Sequence, residues 1–270
     1  MSKLRLLSVF VTLFVVTVSA SAQIVFFADF EDNSSAAVPG PEVNELSAWV
    51  PENAGQIWEL QPHPGTGNQG LFNSQEGCGT SGNTPLPGVT NFSDGVLHML
   101  MSTGDDDSWG FVFRQSGDTA GYLVMFGTDE TPAVIFARLD DGCGGQQCSS
   151  DAGCENGGAE LLSVDHGLGA IAQDNTQVLV GRVEARGSSF KVWYVDIASV
   201  ADPNGDLGAP IIEITDATHS SGSVSVWHES MGVSFIDDVL VAGPGGFDGT
   251  AVDVEGKLTT YWGAMKTAAN

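Results

Sequence analysis

The chain has 270 residues, 34 of them acidic and nine basic, for a formal net charge of −25. So negative a surface repels nucleic acid and anionic membranes, excludes phosphate-backbone recognition, and favours divalent cations. Thirty-five glycines and no stretch of sustained helical periodicity point to one all-β domain.

Residues 1–22, "MSKLRLLSVFVTLFVVTVSASA", set Lys3 and Arg5 before an apolar run and a small-residue A-x-A ending. This is the pattern of a secretory signal peptide, so the mature protein is expected to begin near Gln23 and to be secreted, extracellular or periplasmic. The apolar run is too short for a comfortable span and no other stretch approaches 18 apolar residues, so no transmembrane helix is expected. Cleavage leaves seven basic residues against the 34 acidic ones.

The mature chain divides into residues 23–243, read as a single β-sandwich, and 244–270, a Gly-rich linker and tail with one short helix possible from Thr259 onward. The first strand is "IVFFADF" at 24–30, followed by "SAWV" and "QIWEL" as short candidates. Residues 61–87, rich in Gly, Pro, Asn and Ser, read as a long loop. Then come "GVLHMLM", "WGFVFRQ", "GYLVMFG", "AVIFARL", "QVLVGRVEA", "SFKVWYVD", "PIIEIT", "SVSVWHE" and "VSFIDDVLV", about a dozen strands in all, separated by hairpin-like breaks such as "SGDTAG" and "GTDETP". Period two places Trp109, Phe111 and Phe113 on one face and Val112 with Arg114 on the other. On "SFKVWYVD" it places Lys191 and Trp193 opposite Phe190 and Tyr194. The rhythm is that of an all-β, two-sheet antiparallel β-sandwich of jelly-roll type.

Four cysteines, Cys78, Cys143, Cys148 and Cys154, suit two disulfides in an exported chain, with three pairings open. Three of them lie in a Gly-rich stretch that packing alone would order poorly. A zinc site there would lack both histidine and C-x-x-C spacing.

"DDDSWGFVFR" raises the sharpest chemical question. Asp105, Asp106 and Asp107 repel one another unless they splay into water or share a cation, and a turn lets neighbouring carboxylates and carbonyls converge on calcium as a straight strand does not. Asp202, Asn204, Asp206 and Glu213 approximate an EF-hand loop, but Leu207 stands where that loop needs glycine and the flanks are strands, which favours an ordinary turn. "GLGAIA" at 167–172 matches a dinucleotide fingerprint without its βαβ setting. The five histidines are dispersed, and no G-x-S-x-G is present.

The segment order "FFADFEDN", "DSWGFVFRQ" with "GYLVMF", "LVGRVEARGSSFKVWYVD", and "GSVSVW" followed by "SFIDDVLVAG" resembles concanavalin A-like lectin/glucanase jelly rolls over residues 24–243. "DDDSWGFVFR" with "YLVMF" looks like the lectin-like C-terminal module of thrombospondins, and the last two strands look like laminin G-like modules. The resemblance implies first and last strands lying side by side and a calcium ion held by acidic residues at their ends. Here those positions are Asp29 or Glu31 and Asp237 or Asp238, with the Asp105 to Asp107 triplet a second cluster. The E-x-D-x-E run that carries catalysis in laminarinase-type jelly rolls is absent: Glu184 stands alone, and Asp237 and Asp238, as neighbours on a strand, are expected on opposite faces.

Sugar binding needs aromatic platforms and planar polar groups, for which Trp109, Trp193, Trp227 and Arg114 are the candidates. A lone Arg on so apolar a strand must pair, reach an edge or meet a ligand. The sequence therefore leads to a secreted, calcium-supported module that binds carbohydrate or another extracellular ligand without catalysis. The alternatives are a carbohydrate-active hydrolase or lyase on the same scaffold and an extracellular structural protein of the matrix.

Overall fold

The computed structural model describes residues 24–31, 43–52, 55–75, 82–117, 120–139 and 158–244. The leader, all four cysteines and the tail beyond residue 244 lie outside the described residues.

Among the described residues, fourteen strands form two antiparallel sheets, as the alternation of the sequence requires. In chain order they are β1 (Ile24–Ala28), β2 (Trp58–Pro62), β3 (Gln69–Asn73), β4 (Gly82–Pro85), β5 (Gly95–Ser102), β6 (Ser108–Ser116) and β7 (Ala120–Gly127). Then follow β8 (Ala133–Leu139), β9 (Gly158–Asp165), β10 (Leu179–Arg186), β11 (Ser189–Asp196), β12 (Ile212–Thr215), β13 (Ser223–Glu229) and β14 (Ser234–Ala242). The eight-stranded sheet runs β12-β11-β10-β5-β14-β3-β2, with β1 as its eighth strand beside β14, and the six-stranded sheet runs β4-β13-β6-β7-β8-β9. β5 occupies one edge of β14 throughout. The other edge is shared, β3 pairing with Ser234 to Ile236 and β1 with Val239 to Ala242. First and last strands thus lie side by side.

Between the sheets, Trp109, Phe111 and Phe113 of β6 meet Leu97, Met99 and Met101 of β5 and Phe190, Val192 and Tyr194 of β11 in one continuous core. Phe111, Phe113, Phe126, Phe136 and Phe190 are each at most 1% exposed, and burial of such a ring stabilises the fold by about 1.5–3 kcal/mol.

Among the described strands four carry an extra residue: β1 at Val25, β9 at Leu161, and the two that bear on the site residues, β14 and β6. β14 spends three residues from Asp237 to Leu240 where β5 spends two from Leu100 to His98, and Asp238 takes the left-handed conformation at φ 47°. β6 carries one residue more than β7 between Phe113 and Ser116, and Arg114 sits at φ 49°. Each is a β-bulge, which re-aims the side chains around it.

Two expectations need correction. Residues 61–87 are not one loop: β2 extends into them, and β3 and β4 lie within them. Both strands end or flank a sheet and hold their place largely by backbone pairing, with glycine and asparagine where the sequence pattern needs branched residues. "SAWV" is not a strand either. Leu46–Ala48 form a short 3-10 turn, after which Trp49 packs against Phe26 and Phe30.

The outer faces of the sheets differ. On the eight-stranded sheet, Leu100, Val178 and Val180 are covered by Leu207 with Ile197 and Val200 of the segment after β11. Arg182 fixes that segment by donating to the carbonyls of Pro203 and Gly205, 2.7 Å each. The same stretch is the EF-hand-like sequence, whose Asp202 and Asp206 carboxylates accept the amides of Asn204 and Gly208, as in ordinary turns.

Candidate cation sites

The first acidic group forms where β1, β3 and β14 meet. Asn44 aligns the end of β1. Its Oδ1 accepts the amides of Asp29 and Phe30, and its Nδ2 donates to Asp29 Oδ1 at 2.8 Å. Asp29 Oδ1 also accepts the Glu31 amide, and Glu31 Oε1 accepts the amide of Gln69 at 2.9 Å, tying the strand end to β3. Opposite lie the bulged aspartates. Asp237 is 3% exposed, and its Oδ1 accepts the Asp238 amide at 2.8 Å. The bulge removes the strict alternation that separates neighbouring side chains.

Burial raises the Asp237 carboxyl well above its ordinary range, and the charges of Asp238, Asp29 and Glu31 raise it further. Burial likewise pushes Asp238 up to about 7, with Asp29 and Glu31 adding to the shift. Among the described residues, no basic side chain is among the groups acting on either aspartate. Asp29 and Glu31 thus act electrostatically on both bulged aspartates. An all-oxygen donor set of this kind suits a hard cation such as calcium.

The second group is the turn before β6. One oxygen from each of Asp105, Asp106 and Asp107 lies within 4.8 Å of the others. The turn is pinned from the β13–β14 connection: Gly232 donates its amide to Asp105 Oδ2, and the Asp106 amide donates to Asp105 Oδ1. Thr103 Oγ1 accepts the Asp105 amide at 2.8 Å. A fourth carboxylate joins from the β7–β8 turn, where the Glu130 amide donates to Asp106 O. Partial burial, a hydrogen bond to Glu130 and the charges of Asp105 and Glu130 push Asp107 up to about 7. Asp106, which is exposed, is also raised, by desolvation first and then by a hydrogen bond to Asp105 and the charges of Asp105 and Glu130.

The four proposed sugar-binding residues stand in four different places. Trp109 lies inside the sandwich, its ring stacked on Trp58 at 6.0 Å and against His228 at 5.4 Å. Trp227 lies on the outer face of the six-stranded sheet. Arg114 is turned by its bulge away from the face shared with Val112 and sits 4.9 Å over the Phe190 ring. There it donates to the carbonyls of Ser93 and His219 and pairs with Asp94 at 3.3 Å, with its side chain 1% exposed. Of the three fates open to a lone Arg on an apolar strand, pairing is the one the structure shows. Trp193 lies half-buried on the outer face of the eight-stranded sheet, packed against the cluster of Leu100, Val178, Val180 and Leu207, its Nε1 donating to Gly208 O at 2.9 Å. Exposed Lys191 shares that face and is paired in register with Glu213 of β12.

A buried serine–histidine contact was not foreseen in the sequence. Ser102 Oγ is 2.8 Å from His63 Nε2 and 2.9 Å from Asn175 Oδ1. His63 Nδ1 accepts two amides, those of Gly65 and Thr66, so the ring proton resides on Nε2. His63 therefore donates to Ser102, and Ser102 donates to Asn175. Burial holds the ring down to about 4, and hence neutral. This polarity is opposite to that of a general base activating a serine, and the trio ties loops together. No local sequence signal marked Asn44, Glu130 or His63, because each acts on residues distant in the chain.

No protein-family model and no curated protein matches this sequence. Among solved structures, the chain is similar to a carbohydrate-binding module, CBM66, from Bacillus subtilis, at 14% identity over 71% of this chain and 93% of that one, with a TM-score of 0.46. It is similar to the T. cruzi calreticulin globular domain at 14% identity, 83% and 92% coverage and a TM-score of 0.43. It is also similar to the Crh5 transglycosylase at 11% identity, 84% and 85% coverage and 0.42. Likenesses of this degree say nothing about a ligand.

Proposed function

We propose that the protein is an exported, calcium-supported β-sandwich module that binds an extracellular glycan and catalyses no reaction. The observation that carries the calcium part is the Asp29, Glu31, Asp237 and Asp238 group. Carboxylates driven up by burial and by one another are stabilised in their charged form by a shared hard cation. Asp105, Asp106 and Asp107, with Glu130, form a second candidate, more exposed, in which one oxygen of each aspartate lies within 4.8 Å of the others. Trp193, half-buried with exposed Lys191 and Glu213 beside it, supports the glycan part, since a pyranose face stacks on the part of an indole left open while its hydroxyls take charged partners.

A specific observation favours a second reading, an extracellular structural protein: the outer face of the six-stranded sheet is filled and apolar rather than an open polar groove. A glycan panel read by thermal unfolding of the mature chain, with calcium and with chelator, decides between them. A glycan whose stabilisation is lost in Trp193→Ala, with the calcium response retained, supports binding. Silence across the panel supports the structural role.

A further inference from the structure

A sheet edge presents unpaired amides and carbonyls along its outer side, a template for another extended chain unless the edge is short, broken by proline or lysine, or covered. Among the described residues five strands have such a side, and four of them are blunted. β4 and β12 have four residues each, and the Asn83 carbonyl of β4 already accepts the Glu52 amide. β2 ends in Pro62, and the Phe27 carbonyl of β1 takes the Val43 amide.

β9 is the exception. It closes the six-stranded sheet with eight residues, "GAELLSVD", that include no proline and no basic side chain, and among the described residues only β8 pairs with it. Its two rows of side chains differ. Leu161, Leu162 and Val164 are half-buried against the core, the bulge at Leu161 setting two neighbouring leucines on one side, and half-buried Ile214 of nearby β12 continues the row. Glu160, Ser163 and Asp165 form the other row, and all three are exposed.

Charge selects what can lie along this edge. A second copy pairing antiparallel and centred on β9 would set Glu160 against Asp165 in both directions, and like charges directly opposed across two strands are destabilising. The chain's net charge of −25 adds to that repulsion. A strand with basic side chains opposite Glu160 and Asp165, and apolar ones over Leu162 and Val164, meets neither obstacle.

We propose that β9 receives, on its unpaired edge, an extended cationic segment of a partner protein, whose alternate apolar side chains lengthen the inner row. This goes beyond the calcium and glycan reading and does not depend on it. Main-chain pairing supplies affinity in such an addition, and the alternate side chains supply selectivity.

A short synthetic peptide of alternating valine and lysine, added to the mature chain and followed by amide hydrogen exchange, tests it. Residues 158–165 are expected to gain protection, while the same peptide with glutamate for lysine, or with proline for its central valines, is expected not to bind. Reversing two exposed charges in Glu160→Lys/Asp165→Lys should weaken the lysine peptide by roughly tenfold. Equal binding of the proline peptide would mean that charge alone attracts it and would overturn the proposal. Protection confined to the 105–107 turn or to another strand, or no binding of the lysine peptide, would overturn it as well.

Discussion

The two acidic groups contain the same number of carboxylates and differ in where the fold puts them. Asp237 is nearly fully buried at a three-strand junction, whereas Asp106 stands open to water on a turn. Charge count alone would rank them equal. The Coulomb energy of like charges rises steeply as water is removed from between them, so burial decides which group a bound cation would stabilise more. The turn group relieves much of its repulsion by hydration, and Asp105 spends both oxygens on backbone amides.

The comparison breaks most directly by removing calcium. At a hundredfold excess over Kd, a bound ion adds about 2.7 kcal/mol, a rise of roughly 5–10 °C in the unfolding midpoint for a domain of this size. Chelation is expected to remove that rise. Asp237→Asn should abolish most of the response while raising the midpoint of the chelated protein, because it deletes one of the repelling charges. A midpoint indifferent to calcium and chelator in the wild-type chain would end the calcium assignment, and a full response in Asp237→Asn would move it away from the junction.

Acid offers a second way to discharge both groups, and the buried histidines oppose it. His228, packed between Trp58 and Trp109, is held by burial down to about 3. Below the ordinary value of 6.5 the unfolded chain takes up a proton that the folded chain refuses until about pH 3, so His228 lowers stability as pH falls through that window. The slope is about 1.4 kcal/mol per pH unit. Denaturant unfolding of His228→Phe between pH 6 and 4 is expected to show stability falling less steeply than wild type by that amount. Equal slopes would mean that His228 is charged, or hydrated, in the folded protein.

The parts of this architecture that were legible in the sequence are those governed by nearest neighbours. β11 coincides with "SFKVWYVD" because alternating large side chains about one buried face fix its register, and β8 with "AVIFARL" because its apolar run is buried on both faces. β3 and β4 escaped notice because they are specified by partners, Leu71 by the core and Thr84 by the Trp58 indole that donates to it. The acidic residues at the strand ends were visible as a resemblance and are brought together by the fold, but the bulges that aim Asp238 and Arg114 were not. Alternation in a sequence carries no mark of an inserted residue when no glycine stands at the bend. Arg114 shows the cost of that blindness: placed by pattern on an outer face beside Val112, it was assigned a ligand, whereas a single left-handed residue turns it into contact with Phe190 and two carbonyls.

The smallest expected effect sharpens the comparison most. Asp107→Asn removes the most perturbed carboxylate of the turn, yet the group is half-exposed, so its share of the calcium response should stay below about 1 kcal/mol. Salt separates the two groups further. Exposed charges are screened over about 10 Å at 0.1 M and about 3 Å at 1 M, while buried ones are screened far less. The difference between Asp107→Asn and wild type should therefore vanish in molar sodium chloride, whereas that of Asp237→Asn should persist. Were both differences to vanish together, the junction would be as wet as the turn, and burial would not be what distinguishes them.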